Sequence, residues 1–239
     1  MPPAYARLND CAMRTYLDPT APIAADGMLT DDPKGAMDLA VALCDSPRMS
    51  NLAHGLWGYH GTTKEGRELT VQALGIGGPS AAVIVRDLAR LGLSRAVRIG
   101  SCKCLLPGAG LGTALVVGGV EARDGAAGKL SQGRPIKPDA CLTSALLHAT
   151  ASDQTVQTAS VDIYPDEVTG DGGAVALDLS SAATLAAARG AGIACACALV
   201  IAETAEGDAL GPQALHAALI DLGVQASAAL SAAAQASEA

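Results

Sequence analysis

The sequence predicts an α/β fold, because one stretch has the pattern of a strand, a glycine turn, a helix and a second strand. Residues 69–74 are apolar and residues 96–99 form a second apolar run. Between them lie glycines that permit a tight turn and Pro79, which suits the first turn of a helix. We expect this helix to end at Leu91, before Gly92. The two strands should be parallel, joined by a right-handed crossover.

Arg98 is the unusual residue of this unit. It places a charge in an otherwise apolar strand, just before the chain leaves the sheet at Gly100 and Ser101. Open α/β sheets bind ligands at the carboxyl edge of their strands, and a guanidinium recognises an oxyanion through paired hydrogen bonds. We therefore expect Arg98, helped by Ser101, to hold an anion.

The composition favours a single globular domain. Of the 239 residues, 50% are hydrophobic, which is enough for a full α/β core. Residues 1–27 carry several prolines and are expected to form an N-terminal arm, and residues 28–239 the domain. A net charge of -8 disfavours nucleic acid as a partner, since phosphate backbones require a basic surface.

The cysteines and the N-terminus bear on the compartment. Seven cysteines are spread through apolar segments, which is typical of reduced thiols rather than of disulfides, and their spacing predicts no metal site. The N-terminus lacks a basic region followed by an apolar core, and no apolar run reaches the roughly twenty residues that span a bilayer. We expect a cytoplasmic protein with no membrane partner.

Other elements are predicted by periodicity and by turn residues. Asp31 and Asp32 precede a helix from Pro33 to about Cys44, and a second long helix begins at Pro212. The remaining predictions are a hairpin of residues 56–62 and 68–74, strands at 113–117, 156–161 and 193–202, and a helix at 140–151.

Two motifs give the chain a resemblance to a known family. Gly75-Ile76-Gly77-Gly78-Pro79-Ser80, followed by Arg98-Ile99-Gly100-Ser101-Cys102, resembles the nucleoside phosphorylases of the uridine and hexameric purine type. The resemblance implies a three-layer αβα fold with a central mixed, twisted sheet flanked by helices. It also implies a homodimer or homohexamer that cleaves a nucleoside to base and sugar 1-phosphate. Inorganic phosphate would be the co-substrate, with no cofactor.

The resemblance assigns the phosphate site to four residues, Arg98, Ser101, Gly77 and His54. His54 would act from a neighbouring subunit, or it is a surface histidine. The family has a glycine and an arginine where Asp31 and Gly35 stand here. An aspartate repels phosphate, so we expect this half of the anion site to be weakened.

The resemblance assigns the substrate pocket to seven residues, Cys102, Lys103, Ile163, Tyr164, Asp178, Leu179 and Ser180. Ile163 replaces a phenylalanine that stacks on the base and offers no π face. Ser180 replaces a glutamate that holds the ribose, and it suits a helix N-cap equally well. Lys103 replaces a glycine, so it either adds a positive charge to the site or obstructs the pocket.

The resemblance assigns proton transfer to Glu203 and His216. Glu203 stands where purine-cleaving members have an aspartate, and His216 where they have a supporting arginine. A glutamate–histidine pair can hold and deliver a proton. The alternative is that both are surface residues.

Three functions remain open at this stage: a phosphorylase, a nucleoside hydrolase in which water replaces phosphate, and a non-catalytic binder of a nucleoside or other small molecule. Residues 166–169 lack the pyrimidine-reading glutamine and arginine of the uridine members, which favours a purine-like or unusual base.

Overall fold

The structure is a computed structural model that describes residues 16–164 and 173–238. These residues form nine strands and six α-helices. The strands are β1 (Asp26–Thr30), β2 (Cys44–Asn51), β3 (Gly58–Thr63), β4 (Glu68–Ala73), β5 (Arg95–Cys104), β6 (Ala114–Arg123), β7 (Val156–Val161), β8 (Ala176–Asp178) and β9 (Ala194–Glu203). The helices are α1 (Pro33–Leu43), α2 (Gly77–Arg90), α3 (Gly125–Ser131), α4 (Ala140–Ala149), α5 (Ser181–Ala191) and α6 (Pro212–Glu238).

All nine strands belong to one mixed sheet, in the order β2-β3-β4-β1-β5-β8-β7-β6-β9. β5 also pairs with β9, so β5, β8, β7, β6 and β9 close on themselves like a small barrel. Strand β1 is parallel to both β4 and β5, whereas β8 is antiparallel to β5. The predicted α/β class with a mixed sheet is confirmed.

The helices cover the sheet in two layers, each with its own hydrophobic core. Buried residues of α2, α3 and α5 pack on one face together with Cys102 and Cys197. Residues of α1, α4 and α6 pack on the other face together with Val97 and Ile99. Alternate residues of β5 therefore face different helix layers, as strand geometry requires. The predicted three-layer arrangement is confirmed.

The central unit folds as its glycines and proline predict, with one addition. Gly75 and Gly77 have φ values of 77° and 83°, and Gly92 after the helix has a φ of 116°. The two strands of the unit are parallel, but they are not neighbours, because β1 lies between them. Strand β1 is a short strand of five buried residues and was not predicted from the sequence.

The other predicted elements lie close to their expected bounds, whereas β2, α3 and β8 were not predicted. The hairpin is formed by β3 and β4, α1 begins at Pro33, and β7 spans the predicted residues. Strand β6 is longer than expected, since it continues to Arg123. Among the described residues one helix, α6 over Pro212–Ala236, is long and apolar enough to cross a membrane by length and composition. It packs on α1 and α4 and buries Leu222 in the second core, as a core helix does.

The described part of the predicted arm is fixed to the body by hydrogen bonds. The Asp87 carboxylate accepts the backbone N–H groups of Tyr16 and Leu17, at 2.6 and 3.3 Å. Thr20 donates its backbone N–H to the carbonyl of Ser50 at 2.7 Å. Two segments, residues 1–15 and 165–172, lie outside the described residues, as does residue 239. The second segment includes residues 166–169, whose composition favoured a purine-like or unusual base. The division into arm and domain stays a prediction.

Candidate active site

Arg98 lies in the middle of β5 with its side chain almost fully buried, at 1% exposure. The side chain runs along the strand and its guanidinium lies over Gly100. A Cβ atom at Gly100 would be 2.7 Å from Arg98 Nη2 and 3.0 Å from Cζ. Any residue larger than glycine at position 100 would therefore collide with the guanidinium in its observed position.

The guanidinium is held by carboxylates and hydroxyls from distant parts of the chain. Arg98 Nη2 donates to Asp31 Oδ2 at 2.8 Å and to Ser180 Oγ at 2.7 Å. Nη1 donates to Ser181 Oγ at 2.8 Å and lies 3.2 Å from Asp178 Oδ2. Nε is buried without a hydrogen-bond partner among the described residues. We call Arg98, Asp31, Asp178, Ser180 and Ser181 the Arg98 network.

Asp178 joins this network to the start of α5. Its Oδ2 accepts the backbone N–H of Ser181 at 2.8 Å and the Ser181 hydroxyl at 2.6 Å, and Oδ1 accepts the Ser160 hydroxyl at 2.5 Å. A carboxylate at a helix N-terminus is stabilised by the free N–H groups and by the helix dipole. Asp178 therefore caps α5, which is the role that the sequence predicted as an alternative for Ser180.

Ser180 occupies the N-cap position but makes no side-chain capping bond. Its hydroxyl instead donates to Asp31 Oδ1 at 2.8 Å. Ser180 thus connects Asp31 to Arg98, and it is completely buried. Leu179, between Asp178 and Ser180, is half-buried.

The network contains one positive and two negative side chains. Burial acts to lower the pKa of Arg98, but the carboxylates of Asp31 and Asp178 outweigh it and raise that pKa. Asp31 is the member that reaches solvent, with 34% of its side chain exposed. Desolvation raises the pKa of Asp31, and Arg98 and Ser180 oppose that shift. With all three groups ionised the net charge is negative, which does not attract a further anion.

Within the described residues, the other predicted phosphate ligands form no hydrogen bond with the guanidinium and belong to three different elements or faces. Strand alternation directs Ser101 to the face of β5 opposite Arg98. His54 is exposed in a 3₁₀ turn, Ala53–Gly55, and its ring centroid lies 5.6 Å from that of Tyr16. Gly77 is the first residue of α2. Phosphate binding by these residues stays a prediction, but the structure does not bring Arg98 and Ser101 together as a cradle.

The residues predicted to line the substrate pocket differ in burial. Cys102 is buried and donates its thiol to the carbonyl of Val200 at 3.5 Å, and burial raises its pKa. Ile163 is 83% exposed, and the adjacent Tyr164 is less so. Partial burial and then the Asp178 carboxylate raise the pKa of the Tyr164 hydroxyl. Tyr164 therefore lies within electrostatic reach of the Arg98 network.

Glu203 and His216 each have a partner other than the one predicted. Lys103 Nζ donates to Glu203 Oε1 at 2.5 Å, across the bulge where β5 and β9 lose register. The imidazole Nε2 of His216 lies 3.3 Å from the Asp38 carboxylate on α1. The predicted Glu203–His216 pair is therefore not formed. Its place is taken by the Lys103–Glu203 pair, which lies at the carboxyl ends of two adjacent parallel strands.

Several members of the site were not predicted from the sequence. Asp31 drew attention only as a group that repels phosphate, although it is the partner of Arg98. Ser160 gave no signal, because a small polar residue near the end of a strand is common in any α/β protein. Within residues 16–164 and 173–238 no group of three or more His, Cys, Asp or Glu side chains is arranged as a metal site.

A comparison with curated proteins finds a partial similarity. Over 81 residues the chain is 33% identical to a DeoD-type purine nucleoside phosphorylase of Oceanobacillus iheyensis. The matched part is 34% of this chain and 34% of that protein, so the chain spans about a third of the relative's length. No protein-family model matches the chain. The similarity points to the nucleoside phosphorylase family and to no particular activity within it.

Proposed function

We propose that this protein binds a nucleoside and cleaves its N-glycosidic bond, with water rather than phosphate as the acceptor. The partial similarity to a purine nucleoside phosphorylase supports the nucleoside and the bond. Water is favoured over phosphate as the acceptor because Arg98 is paired with Asp31 and Asp178. A guanidinium that is already paired with two carboxylates has no charge left for an incoming oxyanion.

The proposed cleavage passes through a sugar with oxocarbenium character, as in other glycoside hydrolyses. Such a state is stabilised by nearby negative charge, and the Arg98 network supplies a partly exposed carboxylate at Asp31. Tyr164, with a hydroxyl within electrostatic reach of the network, is proposed to contact the sugar. The buried Asp178 supports Arg98 and the start of α5.

The base is proposed to face the Lys103–Glu203 pair. Lys103 is a donor and Glu203 an acceptor, and both side chains retain exposure, at 19% and 41%. A leaving base that accumulates charge can take a proton from a nearby acid or a hydrogen bond from an ammonium group. Exposed Ile163 is proposed to give the base an apolar contact.

Phosphorolysis is the second candidate, because one observation favours it. Arg98 Nε is buried without a partner among the described residues, so it remains a donor that an oxyanion could use. The relative's activity, as its name states it, is phosphorolytic. A non-catalytic binder is the outcome if no nucleoside is cleaved.

The test is release of free base from inosine, adenosine, guanosine and uridine, measured by chromatography with and without phosphate. We expect release at the same rate in both buffers, with free sugar as the second product. Release that requires phosphate contradicts the choice of water, and absence of release from every nucleoside contradicts cleavage altogether.

A matched pair of variants then tests the base end of the site. Glu203→Gln should lower the rate by roughly ten- to a hundredfold if the carboxyl group assists the leaving base. Glu121→Gln removes a similar exposed carboxylate, paired with Arg123 on β6, and should leave the rate unchanged. Equal rates in the two variants would remove Glu203 from the proposed site.

A further inference from the structure

We propose that Asp31 determines the acceptor of the reaction. Its carboxylate occupies the position on Arg98 and Ser180 where an oxyanion would bind, and it takes a proton from the attacking water. The chemical half of this inference rests on the proposed function. The binding half depends only on the geometry of the Arg98 network.

The Asp31 carboxylate uses both of its oxygens as a bound oxyanion would. Oδ2 accepts from Arg98 Nη2 and Oδ1 accepts from the Ser180 hydroxyl, each at 2.8 Å. The backbone around it is also fixed, because the Asp31 carbonyl accepts the N–H of Gly75 at 3.2 Å. Asp32 next to it caps α1 by accepting the N–H of Gly35 at 2.6 Å. Asp31 is therefore held as a built-in ligand of Arg98.

A free phosphate would have to displace this ligand. The two groups carry the same sign of charge, and Asp178 adds another negative charge on the buried side of the guanidinium. A phosphate on the guanidinium would be repelled by both carboxylates, and the burial of Arg98 and Asp178 limits screening of that repulsion by water. The chain is therefore built to exclude an oxyanion from Arg98 rather than to attract one.

Asp31 is also placed to act on water. It reaches solvent, with 34% exposure, whereas Arg98 and Asp178 are each at 1%. In the proposed step the oxygen of a water bonds to C1′ of the sugar as the C1′–N bond breaks, and the electron pair of that bond goes to the base. One proton of the water passes to Asp31, which later returns it to solvent, and the base nitrogen takes up a proton from solvent. The net change is addition of water across the bond.

Phosphate binding tests the binding half of the inference without any turnover. Calorimetric titration with inorganic phosphate compares the wild type with Asp31→Asn and Asp31→Gly. The matched control is Asp32→Asn, which removes the same charge one residue away while Asn still suits an N-cap. We expect roughly tenfold or tighter binding in both Asp31 variants than in the wild type and the control, since like-charge repulsion is removed.

Phosphate binding by the wild type that equals or exceeds that of the Asp31 variants would overturn the inference. Circular dichroism establishes that each variant is folded. If Asp31→Gly does not fold, Asp31→Asn carries the comparison. If neither folds, the wild type decides: saturable phosphate binding overturns the inference and its absence supports it.

The chemical half is tested in oxygen-18 water with the nucleoside that the wild type cleaves best. We expect the label at the C1 hydroxyl of the free sugar, and a rate lowered by roughly a hundredfold or more in Asp31→Asn with nucleoside affinity unchanged. A sugar 1-phosphate product, or an unchanged rate in Asp31→Asn, overturns this half. If no protein releases base, the proposed function has failed and phosphate binding alone decides the role of Asp31.

Discussion

Two ionic clusters on the same strand differ in nearly every physical respect. The Arg98 network is buried, includes two carboxylates and two hydroxyls, and lies over a glycine that makes room for it. The Lys103–Glu203 pair has one donor and one acceptor and is partly in water. Breaking a buried cluster leaves an uncompensated charge, whereas an exposed pair exchanges its partner for water at little cost. The first cluster is therefore expected to contribute more to stability than the second, which can exchange its partner for a ligand.

The largest expected effect is that of Arg98→Met. The substitution keeps the approximate length of the side chain but leaves Asp178 buried beside Asp31 without a cation. We expect the free energy of unfolding to fall by about 3–5 kcal/mol, as when one partner of a buried ion pair is removed. Urea denaturation measures it. A loss below about 1 kcal/mol, the range of exposed pairs, would show that the two clusters do not differ as described.

The next largest effect is expected from filling the space between Gly100 and the Arg98 guanidinium. In Gly100→Ala the new Cβ would lie 2.7 Å from Arg98 Nη2, so the guanidinium must move away from its partners. We expect a loss of about 1–3 kcal/mol in the free energy of unfolding, typical of overpacking. Gly128→Ala on α3 is the control, because a Cβ there meets nothing within 4 Å and alanine favours a helix. Similar effects of the two substitutions would contradict the packing of Arg98 on Gly100.

The pH dependence of stability tests the environment of Asp31. Because the pKa of Asp31 is raised above 3.8, the folded protein binds more protons than the unfolded chain just above that pH. The stability that this group contributes is full below 3.8 and is lost as the pH rises through the raised pKa. Asp31→Asn does not titrate. The stability of the wild type relative to Asp31→Asn should therefore decrease as the pH rises above 3.8.

Thermal unfolding of both proteins across this pH range gives the comparison. Asp32→Asn, at an exposed position, provides the baseline. A relative stability that increases with pH would mean that attraction to Arg98 dominates over desolvation at Asp31.

The smallest effect is expected at the partly exposed Lys103–Glu203 pair. Lys103→Met should change the free energy of unfolding by about 0–1 kcal/mol, and the difference should shrink in 1 M salt, where the Debye length is about 3 Å. The effect of Arg98→Met should persist in the same salt, since burial shields that network from screening ions. A large, salt-insensitive loss in Lys103→Met would place this pair in the same class as the Arg98 network.

Sequence periodicity and turn residues were sufficient for most of the individual strands and helices, whereas the three-layer arrangement was predicted from the family resemblance. In the unit of β4, α2 and β5, the turn and the helix ends are marked by Gly75, Pro79 and Gly92. The buried strand β9 appears in the sequence as a continuous apolar run. Strand β1 was missed because five residues with a glycine and an aspartate have no distinctive alternation. Its order in the sheet depends on pairing with β4 and β5, which are distant in sequence.

The site was predictable in its location but not in its contacts. Arg98 stood out because a charge in an apolar strand needs a partner. Its partners lie 67 and 82 residues away, at Asp31 and Ser180, so spacing along the chain could not identify them. The predicted Glu203–His216 pair failed for a related reason. The bulge in β9 brings Glu203 beside Lys103, and such a bulge leaves no clear mark in a sequence.

The most direct test of the account is a crystal structure of the protein at high phosphate concentration with inosine present. The account predicts that Arg98 keeps its contacts with Asp31, Asp178 and Ser180 and that no phosphate oxygen lies within hydrogen-bonding distance of Nη1 or Nη2. A phosphate bound to these nitrogens, with the Asp31 carboxylate turned away from them, would contradict it.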